Sequence, residues 1–283
     1  MKMCAITSAY EAFMKSHWFL GLFLLITLGL PLRAYPGDEP HYAFDQVKAA
    51  LANIPVSQGP DASQLTRSSS GPQLYRSTVD AVVLIYLPGE TPGTGVSGSG
   101  VVVTASGYIF TNWHVIRDKE YALVIFRPKP PKTMADITES DVWVARNLGT
   151  IAKKDIGLLQ LVGPVSKAKN VDLSFLKFIP LADPLSVEVG QDVFAIGHPQ
   201  GLYWSYTEGV ISQLRPRYKW QADEDLFEAT IVQTQTAISY GSSGGPLINK
   251  EGKLVGLISS MITGPAGFNF AIAVDELRPI FRP

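Results

Sequence analysis

From residue 77 onward the chain is written in short apolar runs of β-branched and aromatic residues cut by turn residues: "TVDAVVLIYLP", "SGVVVTASGYIFTN", "YALVIFRP", "IGLLQLVG". Such runs predict strands, and "ASG" at 105–107 reads as a hairpin turn between two of them. A second set follows: "QDVFAIG", "YTEGVISQL", "EATIVQTQ", "GPLIN", "KLVGLISS" and "FNFAIAV". Between 127 and 140, "RPKPPKTMADITES" reads as a proline-rich surface excursion, and "RPRYKWQADEDLF" at 215–227 as a solvated loop of mixed charge. The final "DELRPIFRP" offers one or two helical turns. Two groups of strands joined near 163–180, with no strand alternating with a long helix, predict an all-β chain. Its expected form is two packed six-stranded antiparallel β-barrels.

The first seventy residues follow another pattern. Residues 18–30, "WFLGLFLLITLGL", are apolar and uncharged, preceded by Lys2 and Lys15 and followed by "LRA" at 32–34. That order predicts a cleaved leader. The run is shorter than the roughly 20 residues of a bilayer span, and a retained membrane anchor is the alternative. Phe44, Val47, Leu51 and Ile54 recur at helical spacing after Pro40, so a short amphipathic helix is expected over 41–54. The stretch 55–73 is rich in Ser, Pro and Gly and reads as a linker. The expected divisions are therefore 1–34 (leader or anchor), 35–76 (helix and linker), 77–165 (first barrel) and 166–283 (second barrel).

Composition narrows the chemistry. The 283 residues are 46% hydrophobic and 17% charged with a formal net charge of −1, so no bulk field attracts nucleic acid or an anionic membrane. One cysteine, Cys4, excludes an intramolecular disulfide, a Cys₄ metal site and a cysteine nucleophile deep in the chain. His17, His41, His114 and His198 are too scattered for a His-rich metal site, and no cofactor is implied.

"TAISYGSSGGPLIN", 236–249, puts Ser242 and Ser243 between glycines. A flexible loop would look like this, and so would a nucleophile whose neighbours must turn tightly. Serine acyl transfer needs a hydroxyl, a base, an acid to orient the base, and donors for the oxyanion. His114 in "GYIFTNWHVIRD" is the base candidate and Asp155 in "KKDIGLLQL" the acid candidate. The order His, Asp, Ser is that of chymotrypsin-like enzymes rather than subtilisins or α/β-hydrolases.

"GSGVVVTASGYIFTNWHV", "DIGLLQL", "VGQDVFAIGHPQGL" and "GSSGGPLINKEGKLVGL" together resemble the trypsin-like serine proteases of the HtrA/Deg type, from about residue 77 to residue 275. The resemblance implies a serine endopeptidase with a chymotrypsin-like fold. Its catalytic residues would be His114, Asp155 and Ser243, with the N–H groups of Gly241 and Ser243 as oxyanion hole. It also implies a pocket for the residue before the scissile bond. A short distance upstream of the nucleophile stand Ala237 and Ile238, while "GLISSMI" supplies Leu257, Ile258 and Met261 as wall candidates. No carboxylate occurs there, so small or medium aliphatic residues are the expected preference. Unfolded polypeptide is the expected substrate, and an exported, periplasmic or secreted protein the expected setting. A non-turnover chaperone or peptide-binding module on the same fold is the rival.

Relatives of this kind are often trimers held by N-terminal aromatics, for which Tyr35, Tyr42 and Phe44 are the candidates. Four departures accompany the resemblance. Trp113 stands where a small or polar residue is usual, and predicts a bulkier rim. Ser242 replaces the more frequent Asn or Asp, and His198 the more frequent Asn, with a structural role expected for His198. The chain ends soon after the protease unit, so the PDZ domains of many relatives are not expected.

Overall fold

The computed structural model describes residues 71–280 apart from 91–93, 130–133, 167–170, 223 and 262–267, with the backbone alone at 260–261. The apolar run 18–30, the helix expected over 41–54 and most of the linker lie outside the described residues, as do Tyr35, Tyr42 and Phe44.

Strands β1 (Val82–Pro88), β2 (Gly95–Val102), β3 (Tyr108–Thr111), β4 (Tyr121–Ile125), β5 (Val142–Ile151) and β6 (Ile156–Pro164) close an antiparallel barrel in the order β1-β2-β3-β6-β5-β4. Strands β7 (Asp192–Gly197), β8 (Ser205–Ala222), β9 (Asp225–Thr234), β10 (Pro246–Ile248), β11 (Leu254–Met261) and β12 (Asn269–Ala273) close a second, in the order β10-β11-β12-β9-β8-β7. The fold is the expected pair of six-stranded barrels.

Strand β1 explains how the barrels fill and join. It is apolar at every position because both of its faces are covered. Side chains alternate across a strand, so Val83, Ile85 and Leu87 point into the first barrel, where they meet Val102, Ile109 and Leu159. Val82, on the other face, belongs to a cluster that crosses between barrels, with Val101, Phe110 and Ile156 of the first against Phe194, Ile196 and Leu257 of the second. Trp204 completes the seam, its indole N–H donating to the Val82 carbonyl at 2.8 Å.

Two segments differ from expectation. Residues 71–78, read as the end of the linker and the start of a strand, form helix α1 (Gly71–Thr78). Leu74 anchors it in the seam, and the hydroxyls of Ser77 and Thr78 donate back to the Leu74 carbonyl at 2.8 and 2.7 Å. Such bonds compete with helix propagation, and the chain passes into strand soon afterwards. The stretch 215–227 is not a loop: it forms the outer halves of β8 and β9. Trp220 faces Phe227 across the pair with ring centroids 5.3 Å apart, while Lys219 on the alternate face pairs with Glu228 at 3.5 Å. Pro216 lies where the register shifts, so it costs no ladder bond in a regular stretch.

Candidate active site

The site lies where the two barrels meet. Strand β3 ends at Thr111, Asn112 turns the chain, and a single helical turn, α2 (Trp113–Ile116), carries His114. Asp155 ends a 3₁₀ turn (Ala152–Lys154) that leads into β6. It is fully buried and sits in the left-handed region, with φ of 58°. That conformation is uncommon for a residue with a side chain, and aspartate tolerates it better than most. Two bonds hold it: its N–H donates to the Ala152 carbonyl at 3.0 Å, and its own carbonyl accepts from Asn112 Nδ2 at 3.0 Å.

So held, the Asp155 carboxylate faces His114. Both its oxygens lie 2.9 Å from His114 Nδ1, and Oδ1 also accepts the His114 backbone N–H at 3.0 Å. The buried Ser259 hydroxyl donates to Oδ2 at 2.6 Å. A carboxylate taking this many donors holds the imidazole ring in one orientation and leaves Nε2 of His114 as the ring nitrogen available to another group.

Ser259 also reaches the third residue. Its carbonyl accepts the Ser243 hydroxyl at 3.2 Å. Among the described residues, Ser243 Oγ makes no hydrogen bond to His114. The structure therefore brings His114, Asp155 and Ser243 to one place, with the serine hydroxyl turned toward β11.

The loop 239–245 has a complete hydrogen-bond account. Ser242 N–H donates to Ser239 O, Gly244 N–H to Ile258 O and Gly245 N–H to Ser242 O, at 2.9, 2.7 and 2.9 Å. The Tyr240 carbonyl accepts Gln200 N–H at 2.7 Å, and the Gly241 carbonyl accepts the Ser99 hydroxyl at 2.7 Å. Among the described residues, Gly241 N–H and Ser243 N–H in this loop have no hydrogen-bond partner within the protein, and neither has the N–H of the exposed Tyr240. A trans peptide points its N–H opposite to its C=O. Pinning the Tyr240 and Ser242 carbonyls thus fixes the direction of the two free N–H groups. Gly241 has φ of +94°, and a Cβ there would meet the His198 carbonyl at 2.3 Å, so no other residue fits.

The pocket candidates separate. Ala237 is exposed and Ile238 half-buried, with the Ala237 carbonyl accepting from Thr207 Oγ1 at 2.8 Å. Leu257 and Ile258 point into the seam and the second barrel core respectively. Their contribution near the loop is through backbone: Ile258 N–H donates to Gly245 O at 2.9 Å. The side chain of Met261 lies outside the described residues. Trp113 does not stand free at a rim. It meets Phe227 edge-on at 6.1 Å, and the Arg117 guanidinium lies 4.7 Å from its ring centroid.

Residues 98–257 match the family described as the trypsin-like peptidase domain, more than half of the chain. The chain belongs to the trypsin-like peptidase family. Protease Do-like 1, chloroplastic, of Arabidopsis thaliana is 38% identical to this chain over 188 residues, covering 65% of it and 38% of the relative. A probable periplasmic serine endoprotease DegP-like of Pseudomonas fluorescens is 35% identical over 276 residues, covering 93% and 52%. The solved serine endoprotease from Yersinia pestis superposes with a TM-score of 0.57 at 27% identity, over 76% of this chain and 66% of that one. The peptidase chain thus spans about half, or less, of the length of these curated relatives.

Sequence reasoning missed Ser259, Ser99, Gln200 and Asn112. Ser259 and Ser99 had a signal: each is a small polar residue inside an apolar strand, and a buried polar group needs a partner. Gln200 and Asn112 had none, because one acts through its backbone and the other toward a backbone.

Proposed function

We propose that this chain is a serine endopeptidase in which Ser243 attacks the scissile carbonyl, His114 takes its proton and Asp155 orients His114. The observation that carries this reading is the buried Asp155 carboxylate bound to both His114 Nδ1 and the His114 backbone N–H, beside a serine flanked by two unpartnered N–H groups. The fixed carboxylate keeps the proton of neutral His114 on Nδ1, so the lone pair on Nε2 is free to act as base. As the proton moves, Asp155 stabilises the imidazolium. The Gly241 and Ser243 N–H groups receive the oxyanion, each worth about 3–4 kcal/mol of barrier. The protonated His114 then gives its proton to the leaving amine. Water, deprotonated by the same ring, releases the acyl group from Ser243.

Before attack the Ser243 hydroxyl has to turn from the Ser259 carbonyl to His114. This resting position also favours a second reading, a peptide-binding or chaperone module that seldom turns over.

Unfolded polypeptide, laid as a strand along a barrel edge, is the proposed substrate. With Ala237 and Ile238 a few residues before Ser243 and no carboxylate among 236–243, cleavage after Ala, Val or Ile is expected over cleavage after Lys or Arg. The charged start and the apolar run 18–30 support a setting outside the cytoplasm, in line with the periplasmic naming of the DegP-like relatives. Purified enzyme should digest a denatured protein, Ser243→Ala should not, and Ser242→Ala should. Fluorophosphonate label on Ser242, or no digestion by the intact chain, would overturn the reading.

A further inference from the structure

Ser99 and His198 do not belong to the triad, yet they are joined to the nucleophile loop by a chain of buried hydrogen bonds. Ser99 lies on β2 of the first barrel and is fully buried. His198 follows β7 of the second barrel and is 2% exposed. Ser99 Oγ is 2.8 Å from His198 Nδ1, 3.2 Å from the His198 backbone N and 2.7 Å from the Gly241 carbonyl oxygen.

The proton positions follow from donor counting. A carbonyl only accepts, so the one hydroxyl hydrogen of Ser99 goes to Gly241 O. Both lone pairs of Ser99 Oγ are then taken by N–H groups of His198, one from the backbone and one from the ring. The ring is therefore neutral with its proton on Nδ1. Its Nε2 has no hydrogen-bond partner among the described residues and sits beside the Trp204 ring, with centroids 4.9 Å apart. Burial holds this imidazole well below the ordinary histidine range, at about 3, which keeps it neutral, and the bond to Ser99 selects its tautomer.

We propose that Ser99 and His198 are positioning residues of the reaction: the Ser99 hydroxyl, oriented by the His198 imidazole, clamps the Gly241 carbonyl and so aims the oxyanion donors on either side of it. The inference rests on the endopeptidase reading above. The peptide it clamps, 241–242, is the spacer between the two peptides that carry the free N–H groups, 240–241 and 242–243. The outer carbonyls are held by Gln200 N–H and Gly245 N–H. The spacer is joined through Gly241, the residue with the greatest rotational freedom in the loop. Without Ser99 the two donor peptides would be held only by their outer bonds to Gln200 N–H and Gly245 N–H, and freer rotation at Gly241 would loosen their aim at the oxyanion while leaving the triad contacts in place. His198 makes the clamp directional, because it fills the acceptor capacity of Ser99 and leaves the hydroxyl hydrogen nowhere else to go.

The first test needs no turnover. In ¹⁵N-labelled full-length protein, His198 should be neutral with its proton on Nδ1, and the Nδ1 resonance should move in Ser99→Ala. A proton on Nε2 would overturn the clamp. The second test is kinetic. Ser99→Ala should lower kcat by about 10- to 100-fold with KM little changed. Affinity for a peptide boronate, whose tetrahedral adduct uses the oxyanion site, should fall in step, while peptide affinity measured in a Ser243→Ala background should hold. His198→Asn places an amide donor where Nδ1 stood and should restore most of the rate, whereas His198→Leu should behave as Ser99→Ala. If Ser99→Ala fails to fold, the two His198 variants decide. Unchanged kcat and boronate affinity in Ser99→Ala, or equal losses in His198→Asn and His198→Leu, would sink the proposal. An intact chain that cleaves nothing sinks the endopeptidase reading instead, and the imidazole resonance still decides whether the clamp exists.

Discussion

Asp155 concentrates more physical demands than any other residue of the site. It has lost all contact with solvent, occupies a left-handed backbone conformation, and accepts from a ring, a backbone N–H and a hydroxyl. A buried carboxylate is tolerable only with such a full set of donors. The Ser259 hydroxyl is the member whose removal is cleanest, because its carbonyl contact with Ser243 survives in alanine. Ser259→Ala should therefore cost about 1–2 kcal/mol of transition-state stabilisation, roughly a tenfold loss in kcat/KM. Asp155→Asn should do far more, about 10⁴-fold in kcat, because an amide can leave the proton on the wrong nitrogen of His114. Steady-state hydrolysis of one peptide by both variants checks the pair. Equal losses would mean that Ser259 is as indispensable as the carboxylate it supports.

At the scale of elements, the β8–β9 hairpin holds the turn that carries His114. Its outer end presents Phe227 to Trp113, and Asp225 pairs with Arg117 at 2.8 Å. These contacts are unequal. The ion pair is about half exposed on the Arg117 side and should contribute no more than about 1 kcal/mol. Phe227 is 2% exposed and touches both Trp113 and Trp220, so Phe227→Ala should cost about 3–5 kcal/mol of stability. Chemical denaturation should rank Phe227→Ala far below Asp225→Ala. The reverse order would place the hairpin's hold on α2 in the ion pair. The same hairpin marks where the sequence stopped being readable. Strands inside the barrels announce themselves because both faces are apolar, as in β1. The outer halves of β8 and β9 bury one face against Trp113 and Phe270 and carry charge on the other, so the six charged residues of 215–227 hid the alternation of Tyr218 and Trp220. Helix α1 was hidden in a different way, since a single buried leucine in eight residues gives no period to detect. Ser243, His114 and Asp155, the proposed nucleophile, base and acid, stood out in the sequence because Gly-Gly-Pro, the turn after β3 and the mouth of β6 each constrain local sequence. Their supports come from remote strands, and spacing along the chain carries no trace of that proximity.

At the scale of the whole molecule, the two barrels share one apolar seam, from Val82 and Phe110 on one side to Phe194 and Leu257 on the other. Cutting that seam would expose large side chains on both halves, so the barrels should unfold in a single transition. His198 sits at the junction, and it ties stability to pH with a definite sign. Its folded value of about 3 lies below the ordinary 6.5, so between these values the unfolded chain binds a proton that the folded chain does not. Stability from this group is complete above about pH 6.5 and declines as pH falls toward 3. Protonation at Nε2 would put a buried cation without a hydrogen-bond partner among the described residues beside Trp204, while Nδ1–H still donates to Ser99, so acid should open the seam around His198. Across that window the loss should reach about 4–5 kcal/mol. Asn at 198 keeps the donor to Ser99 and cannot take up a proton. Urea midpoints from pH 7 to pH 4 should therefore fall more steeply for the natural chain than for His198→Asn, with the two curves converging in shape above pH 6.5. Parallel curves throughout would mean that carboxylates elsewhere govern the acid response and that His198 takes no part in it.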